Sequence, residues 1–421
     1  MELKNNHLYL GGLPATQLIE EYGSPLYVYE EETIRNRYKD FAENISYPHL
    51  RIYYACKANS NLAILRVLKE EGAWIDVSSP GEVFLVLKAG FPPEKILFTS
   101  ESVPTEEMEF LIHRGILINI SSLSQLVRYG DLAQCKKQDA GCKISLRINP
   151  DVGAGQHKHV ITGGRKSHFG IFIDQLDEIK RIVEGFGNTP LLIIGIHCHI
   201  GSGISEGRQF LEVMEILCGF AMEFPSLEFV NFGGGFGVPY KRDESPLDMK
   251  TLGRELTLYF EGFCSQYGKT LSLALEPGRY LVAESGFLLA KVNTIKRTPR
   301  YKFVGVNTGF NHLVRPMAYG AYHEILNASR VKGEGEPVVV TGNLCESGDL
   351  FTQNEEGIEE RWISQIEEGD VLAILNAGAY GYSMSSNYDG RLKPMEIMVK
   401  EGKVQVIRKR ETLEDLLRGM E

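Results

Sequence analysis

Long hydrophobic runs are missing from this sequence. No apolar stretch approaches the roughly 20 residues that a membrane-spanning helix needs. The opening segment, Met1 to Asn6, is polar where a secretory leader would be apolar. Positive charge is also short: 45 Lys and Arg stand against 55 Asp and Glu, a formal net charge of -10. That balance argues against a nucleic-acid partner, because phosphate backbones are bound by a basic face. It leaves room for a local basic pocket that takes a small anion. Cysteine is sparse, with seven scattered residues, odd in number, and no Cys-x-x-Cys pair. The expectation is a cytoplasmic protein with reduced thiols and no membrane contact.

The chain is ordinary where it is rich. Hydrophobic residues make up 43% and charged residues 24% of 421 positions, as in soluble globular proteins. That length exceeds one ordinary core and implies two domains, one of which could be a large barrel. Short, continuous apolar runs recur at Arg51–Cys56, Ala73–Val77, Lys95–Thr99, Ile116–Ile120, Lys143–Ile148, Leu192–Cys198, Leu227–Phe232 and Leu271–Glu276. Such runs suit strands buried on both faces. Helix-like stretches such as Asn61–Glu71, Pro80–Ala89, Thr105–Arg114 and Gly207–Phe224 lie between them. Eight alternations predict an α/β architecture, a (β/α)8 TIM-type barrel over 31–282, although an open α/β sheet would show the same alternation. After Glu276 the texture changes to strands separated by turns: Phe287–Thr294, Lys302–Val306, Val338–Thr341, Val371–Leu375, Glu396–Lys400 and Lys403–Arg408. These predict a mostly antiparallel β domain, a β-barrel or sandwich, built from 283–421 and 1–30, with Leu26–Glu30 as a candidate member.

Barrel chemistry sits where the strands end, and the expected strand ends carry reactive residues. Lys57 follows the first strand, His197 and His199 end the sixth, Gly233, Gly234 and Gly235 follow the seventh, and Glu276 ends the eighth. Each has a plain structural alternative. A lysine after an apolar strand suits a Schiff base, which needs a partly desolvated amine, but a lysine also commonly starts a surface loop. Three glycines let backbone N–H groups approach a phosphate, or make a turn. Two histidines two residues apart share a strand face. They could stack on a planar group or sit satisfied in the core, and without a third ligand they argue poorly for a metal. In Glu276-Pro277-Gly278-Arg279 the carboxylate could pair with a pyridinium nitrogen or form a local ion pair. Taken together, these residues make sense as one pyridoxal-phosphate site.

The same motifs resemble the diaminopimelate decarboxylase branch of the alanine-racemase-like, barrel-type pyridoxal-phosphate enzymes. Tyr54–Asn59 is similar to that family's cofactor-lysine motif, and His197-Cys198-His199-Ile200-Gly201-Ser202 to its His-x-His-Ile-Gly-Ser motif. Gly233–Gly235 and Glu276–Arg279 resemble its glycine loop and Glu-Pro-Gly-Arg motif. Arg315-Pro316 with Tyr319 and Ala321-Tyr322-His323 resembles its substrate-carboxylate segment, Cys345-Glu346-Ser347 its Cys-Glu-Ser segment, and Ala377–Gly381 its Gly-Ala-Tyr segment. The resemblance implies decarboxylation of meso-2,6-diaminopimelate to L-lysine and carbon dioxide, the last step of lysine biosynthesis, with pyridoxal 5'-phosphate as cofactor. It implies Lys57 as the cofactor lysine, with His199, Ser202, Gly234, Gly235, Glu276, Pro277, Gly278, Arg279 and Tyr380 around the cofactor. Arg279, Arg315, Tyr319, Glu346 and Tyr380 would bind the amino-acid substrate, and Cys345 would donate a proton. The Cys-Glu segment would reach the neighbouring subunit's site, which implies a homodimer with shared active sites.

Related decarboxylases of ornithine, arginine, carboxynorspermidine or a carrier-bound glutamyl group are the nearest alternatives. Glu346 together with Arg315 favours a substrate end that bears both an ammonium and a carboxylate. A racemase would face the ring nitrogen with arginine rather than Glu276, and a non-catalytic cofactor carrier would lack the β domain with Cys345. The chain departs from the family pattern at Asn307-Thr308-Gly309, where Asp-Ala-Gly is usual, at Gly320, along the acidic stretch Asp349–Trp362, and at Asp389-Gly390.

Overall fold

In the computed structural model, which describes residues 1–135, 142–155, 162–187 and 191–420, the eight expected parallel strands are present. They are β1 (Leu50–Ala55), β2 (Trp74–Val77), β3 (Ile96–Thr99), β4 (Leu117–Ile120), β5 (Cys142–Asn149), β6 (Leu191–His197), β7 (Phe229–Asn231) and β8 (Ser272–Leu275). Each pairs in parallel with the next, and the ring closes where Leu273 of β8 lies opposite Leu50 of β1. This excludes the open sheet. Four strands, the first, sixth, seventh and eighth, stop one residue before the expected ends, so Cys56, Cys198, Phe232 and Glu276 already lie beyond the strands on the C-terminal rim.

The lower half of this barrel is a packed core, not a channel. Tyr53, Leu97, Ile194, Phe229 and Ala274 fill it. Gly195 has no side chain because a Cβ there would lie 2.1 Å from the Phe229 ring. With the floor filled, the chemistry is confined to the upper rim. The connecting helices carry the start signals that their sequences suggest. Ser79 accepts from the Glu82 N–H at 3.1 Å while the Glu82 carboxylate accepts from Ser78 N–H at 2.7 Å, at the head of helix Pro80–Ala89.

The chain divides into two compact units, 37–238 with 246–280, and 1–36 with 239–245 and 281–421. The second unit is a mixed sheet, antiparallel in most of its pairings. Its central strand is β9 (Gly286–Arg297), flanked by Leu26–Glu30 and Lys302–Val306, both antiparallel to it. Leu26–Glu30 therefore joins this sheet, and pairs in parallel with Met395–Lys400 on its other side. Helix Ala15–Tyr22 lays Leu18 and Ile19 on the sheet core of Leu26, Val28, Phe287, Leu289 and Ile397. Strands Ile325–Asn327 and Arg361–Ser364, and the hairpin around His7–Leu10, belong to the same unit and carry weaker sequence signals.

Candidate active site

Lys57 lies in a short 3-10 turn, Cys56–Ala58, directly after β1. Its Nζ is 3.7 Å from Oδ2 of Asp76, which sits buried near the end of β2. Burial drives the Asp76 carboxyl well up, reinforced by the Glu276 charge and opposed by Lys57. The turn is braced from the opposite side: Ala55 N–H donates to the Pro277 carbonyl at 3.4 Å, and a Cβ on Gly278 would press on Ala55 and Ala58 at 3.0 and 3.2 Å. Pro277 and Gly278 thus set the position of the lysine turn through backbone and close packing.

Glu276 is the best-held side chain on the rim. One oxygen accepts from Asn231 Nδ2 at 2.8 Å, and His197 Nε2 lies 3.1 and 3.2 Å from the two oxygens. Burial pushes this carboxyl up, but the hydrogen bond from His197 and the charge of Lys57 oppose it, and the group lies below the ordinary carboxylate range. Burial lowers His197, against the opposing pull of Glu276. Its Nδ1 has no partner among the described residues, which suits a neutral ring that donates from Nε2.

His199 does a different job from His197: the strand ends at His197, and His199 lies in the loop beyond it. Its Nδ1 accepts from the Gly234 N–H at 3.1 Å, which leaves the proton on Nε2. Burial and the positive charges of Lys57 and Arg147 hold this ring far below its usual value, so it stays neutral. The glycine loop is tied to the same network, because Asn231 Oδ1 accepts from Gly233 N–H at 2.9 Å. Each glycine is required by close backbone approach. A Cβ on Gly234 would lie 2.1 Å from the Glu276 carbonyl oxygen, and Gly235, at φ +102°, would meet the Gly201 carbonyl at 2.6 Å. Among the described residues, the amide N–H groups of Gly235 and Phe236 donate to no protein acceptor. Ser202 Oγ accepts from Arg279 Nη2 at 3.1 Å.

The barrel therefore brings together Lys57, His197, His199, Ser202, Gly233 to Gly235, and Glu276 to Arg279. It adds three residues that the strand pattern hides. Asp76, Asn231 and Arg147 are buried polar residues inside apolar runs, and Arg147 pairs with Glu101 at 3.1 Å. A polar residue one position from a strand's C-terminal end was the available signal. Among the described residues, no cluster of His, Cys, Asp and Glu is placed to hold a metal ion.

The other expected residues lie in the sheet unit. Arg315 and Tyr319 begin and end a short helix, and Arg315 is buried against His323 and Tyr240. Cys345 and Glu346 are exposed on a loop. That loop is held by Asp389 Oδ2, which accepts the Cys345 N–H at 2.7 Å, and by Asp349, which accepts from Phe310 and Leu344 N–H at 2.7 and 2.8 Å. Tyr380 adopts φ +57°, rare for a tyrosine.

A family model described as "Pyridoxal-dependent decarboxylase, pyridoxal binding domain" matches residues 31–283. Diaminopimelate decarboxylase of Methanothermobacter thermautotrophicus is 46% identical over 98% of this chain and 95% of that protein. The enzyme of that name from Methanocaldococcus jannaschii is 36% identical over 99% and 95%. A crystal structure of diaminopimelate decarboxylase from M. jannaschii in co-complex with L-lysine aligns with a TM-score of 0.91 at 35% identity, covering 100% of this chain and 97% of that one. A family model over more than half the chain and relatives this close along its whole length place it: the chain belongs to the pyridoxal-dependent decarboxylases and, among them, to the diaminopimelate decarboxylases.

Proposed function

We propose that this chain removes one carboxylate from meso-2,6-diaminopimelate, releasing carbon dioxide and L-lysine, with pyridoxal 5'-phosphate bound at the barrel rim. The observation that carries this reading is the anionic, buried Glu276, fixed by Asn231 and His197 on the same rim as Lys57. The donor set fits the cofactor. Lys57 supplies an amine for the aldehyde, the Gly235 and Phe236 N–H groups supply donors for a phosphate, and the neutral ring of His199 offers a flat face. When bound, the cofactor supplies an electron sink for the pair left when the carbon–carboxylate bond breaks.

The protein's own residues do the rest. Glu276 keeps a proton at the pyridine nitrogen, because a carboxylate held anionic stabilises the charged ring rather than the neutral one. Asp76 lies 3.7 Å from the Lys57 amine, and Pro277 and Gly278 keep the lysine turn in register. Ser202 orients Arg279, which takes substrate with Tyr319 and Tyr380. Arg315 takes the remote carboxylate and Glu346 the remote ammonium, while Cys345 donates the proton that replaces the lost carboxylate. The barrel unit carries the residues for the cofactor; the sheet unit, 1–36 with 239–245 and 281–421, carries Arg315, Tyr319, Cys345, Glu346 and Tyr380. The exposed Cys345-Glu346 loop supports a homodimer in which each subunit completes its partner's site. The described cysteines are all free, which supports a reducing, cytoplasmic setting. Among the described residues no helix is long and apolar enough to cross a membrane.

The test is a substrate panel. The purified protein with pyridoxal phosphate is given meso-diaminopimelate, ornithine or arginine, and released carbon dioxide and products are measured. Carbon dioxide and L-lysine should appear together from meso-diaminopimelate alone. Comparable kcat/KM on ornithine or arginine would contradict the assignment.

A further inference from the structure

Arg315 is braced by a residue that the reaction as derived above does not use. Arg315 is 5% exposed. Its Nη1 lies 2.8 Å from Nε2 of His323, and the guanidinium centre lies 4.5 Å from the centroid of the Tyr240 ring. Tyr240 and His323 meet edge to face at 5.2 Å. His323 is fully buried, and its Nδ1 lies 2.7 Å from the Leu375 carbonyl oxygen, at the end of strand Val371–Ile374.

The partners dictate the state of this ring. A carbonyl oxygen only accepts, so Nδ1 carries the proton. A guanidinium only donates, so Nε2 is a bare acceptor. Both contacts demand the same neutral tautomer, and the strand carbonyl fixes the ring plane that Arg315 sees. The choice of partner matters for charge. A carboxylate in the place of His323 would orient Arg315 and neutralise it, whereas a neutral imidazole orients it without adding a negative charge of its own. Tyr240 adds a flat face that restricts the guanidinium without offering a competing anion.

We infer that His323, with Tyr240, is a positioning residue for carboxylate recognition: it holds Arg315 in one orientation. This rests on the reading that Arg315 takes the substrate's remote carboxylate. The specificity of the site for a ligand end that carries a carboxylate thus depends on a neutral histidine anchored to the sheet.

The experiment compares two inhibitors of the holoenzyme, L-lysine and cadaverine, which is the same diamine without the carboxylate. His323→Asn keeps a donor for Leu375 and loses the acceptor facing Arg315. His323→Gln has the reach to replace that acceptor. In His323→Asn the inhibition constant of L-lysine should rise about tenfold relative to that of cadaverine, the size of one charge-assisted contact, while His323→Gln stays within about threefold of the parent ratio. His323→Leu, close to the ring in volume, carries the same expectation as the Asn variant and replaces it if that protein does not accumulate. Arg315→Ala is measured alongside. A shifted ratio in Arg315→Ala with none in His323→Asn or His323→Leu would overturn the positioning role and leave the carboxylate reading standing. An unshifted ratio in Arg315→Ala would overturn the carboxylate reading itself.

Discussion

Asn231 shows how much of the site is invisible in a linear pattern. Phe229-Val230-Asn231-Phe232 scans as a buried strand, and its asparagine looks like an interruption. In the folded barrel its amide joins the two halves of the cofactor site, donating to Glu276 and accepting from Gly233 N–H. Asn231→Ala should therefore lower kcat/KM by about 10- to 100-fold and loosen cofactor binding, because Gly233 N–H loses its acceptor and Glu276 loses one of its two donors. Equal cofactor affinity in the variant and the parent, measured by titration of the apoprotein, would remove Asn231 from this role. Lys57, His199 and Glu276 were legible because they fall just past apolar runs, where barrel enzymes place their chemistry. Asp76 and Asn231 were not, because their meaning depends on which strands become neighbours. Nothing local announces that Asp76 of β2 will face Lys57 after β1.

Most of this chain's departures from its family pattern fall in loops, while Asp349–Trp362 also holds the short hairpin Gln353–Asn354 with Gly357–Ile358. Thr308 donates its hydroxyl to His312 Nδ1 at 2.9 Å, and Asn307 Oδ1 accepts from Ser24 Oγ and Lys291 N–H, each at 2.9 Å. Gly320 ends helix Arg315–Tyr319 at φ +56°, where a Cβ would lie 2.8 Å from the Glu355 nitrogen. Asp349 and Asp389 are backbone acceptors that shape the Cys345 loop. These substitutions are local structural solutions, which is why the sequence exposed them as differences without exposing their purpose. The glycine loop is the element with least tolerance. Gly234→Ala would drive a methyl group into the Glu276 carbonyl. The loop must then move away from both Glu276 and His199. Activity should fall more than about 100-fold while the melting temperature changes little, since the barrel floor is untouched. Near-parental activity at saturating cofactor would show that the loop does not set the site.

At the scale of the whole molecule, stability should depend on pH through histidines that folding keeps neutral. Burial lowers His312 from its ordinary 6.5 to about 4. Below pH 6.5 the unfolded chain takes a proton that the folded chain refuses until about pH 4. Stability contributed by this histidine is therefore complete above 6.5 and is lost as pH falls through that window, by roughly 3 kcal/mol. Denaturant unfolding at pH 7 and pH 4.5 should show a smaller loss in His312→Asn than in the parent, and equal losses would contradict the assignment. The closed eight-stranded ring was legible from the alternation of apolar runs and helices. Its closure, and the entry of Leu26–Glu30 into a sheet whose central strand begins at Gly286, were settled only by long-range pairing. The account's central claim is that the reacting centre is the barrel rim at Lys57. Borohydride reduction of the holoenzyme followed by peptide mapping tests it most directly. The account predicts cofactor fixed on a peptide containing Lys57 and no fixation in Lys57→Ala. Fixation on another lysine in the parent protein would contradict it.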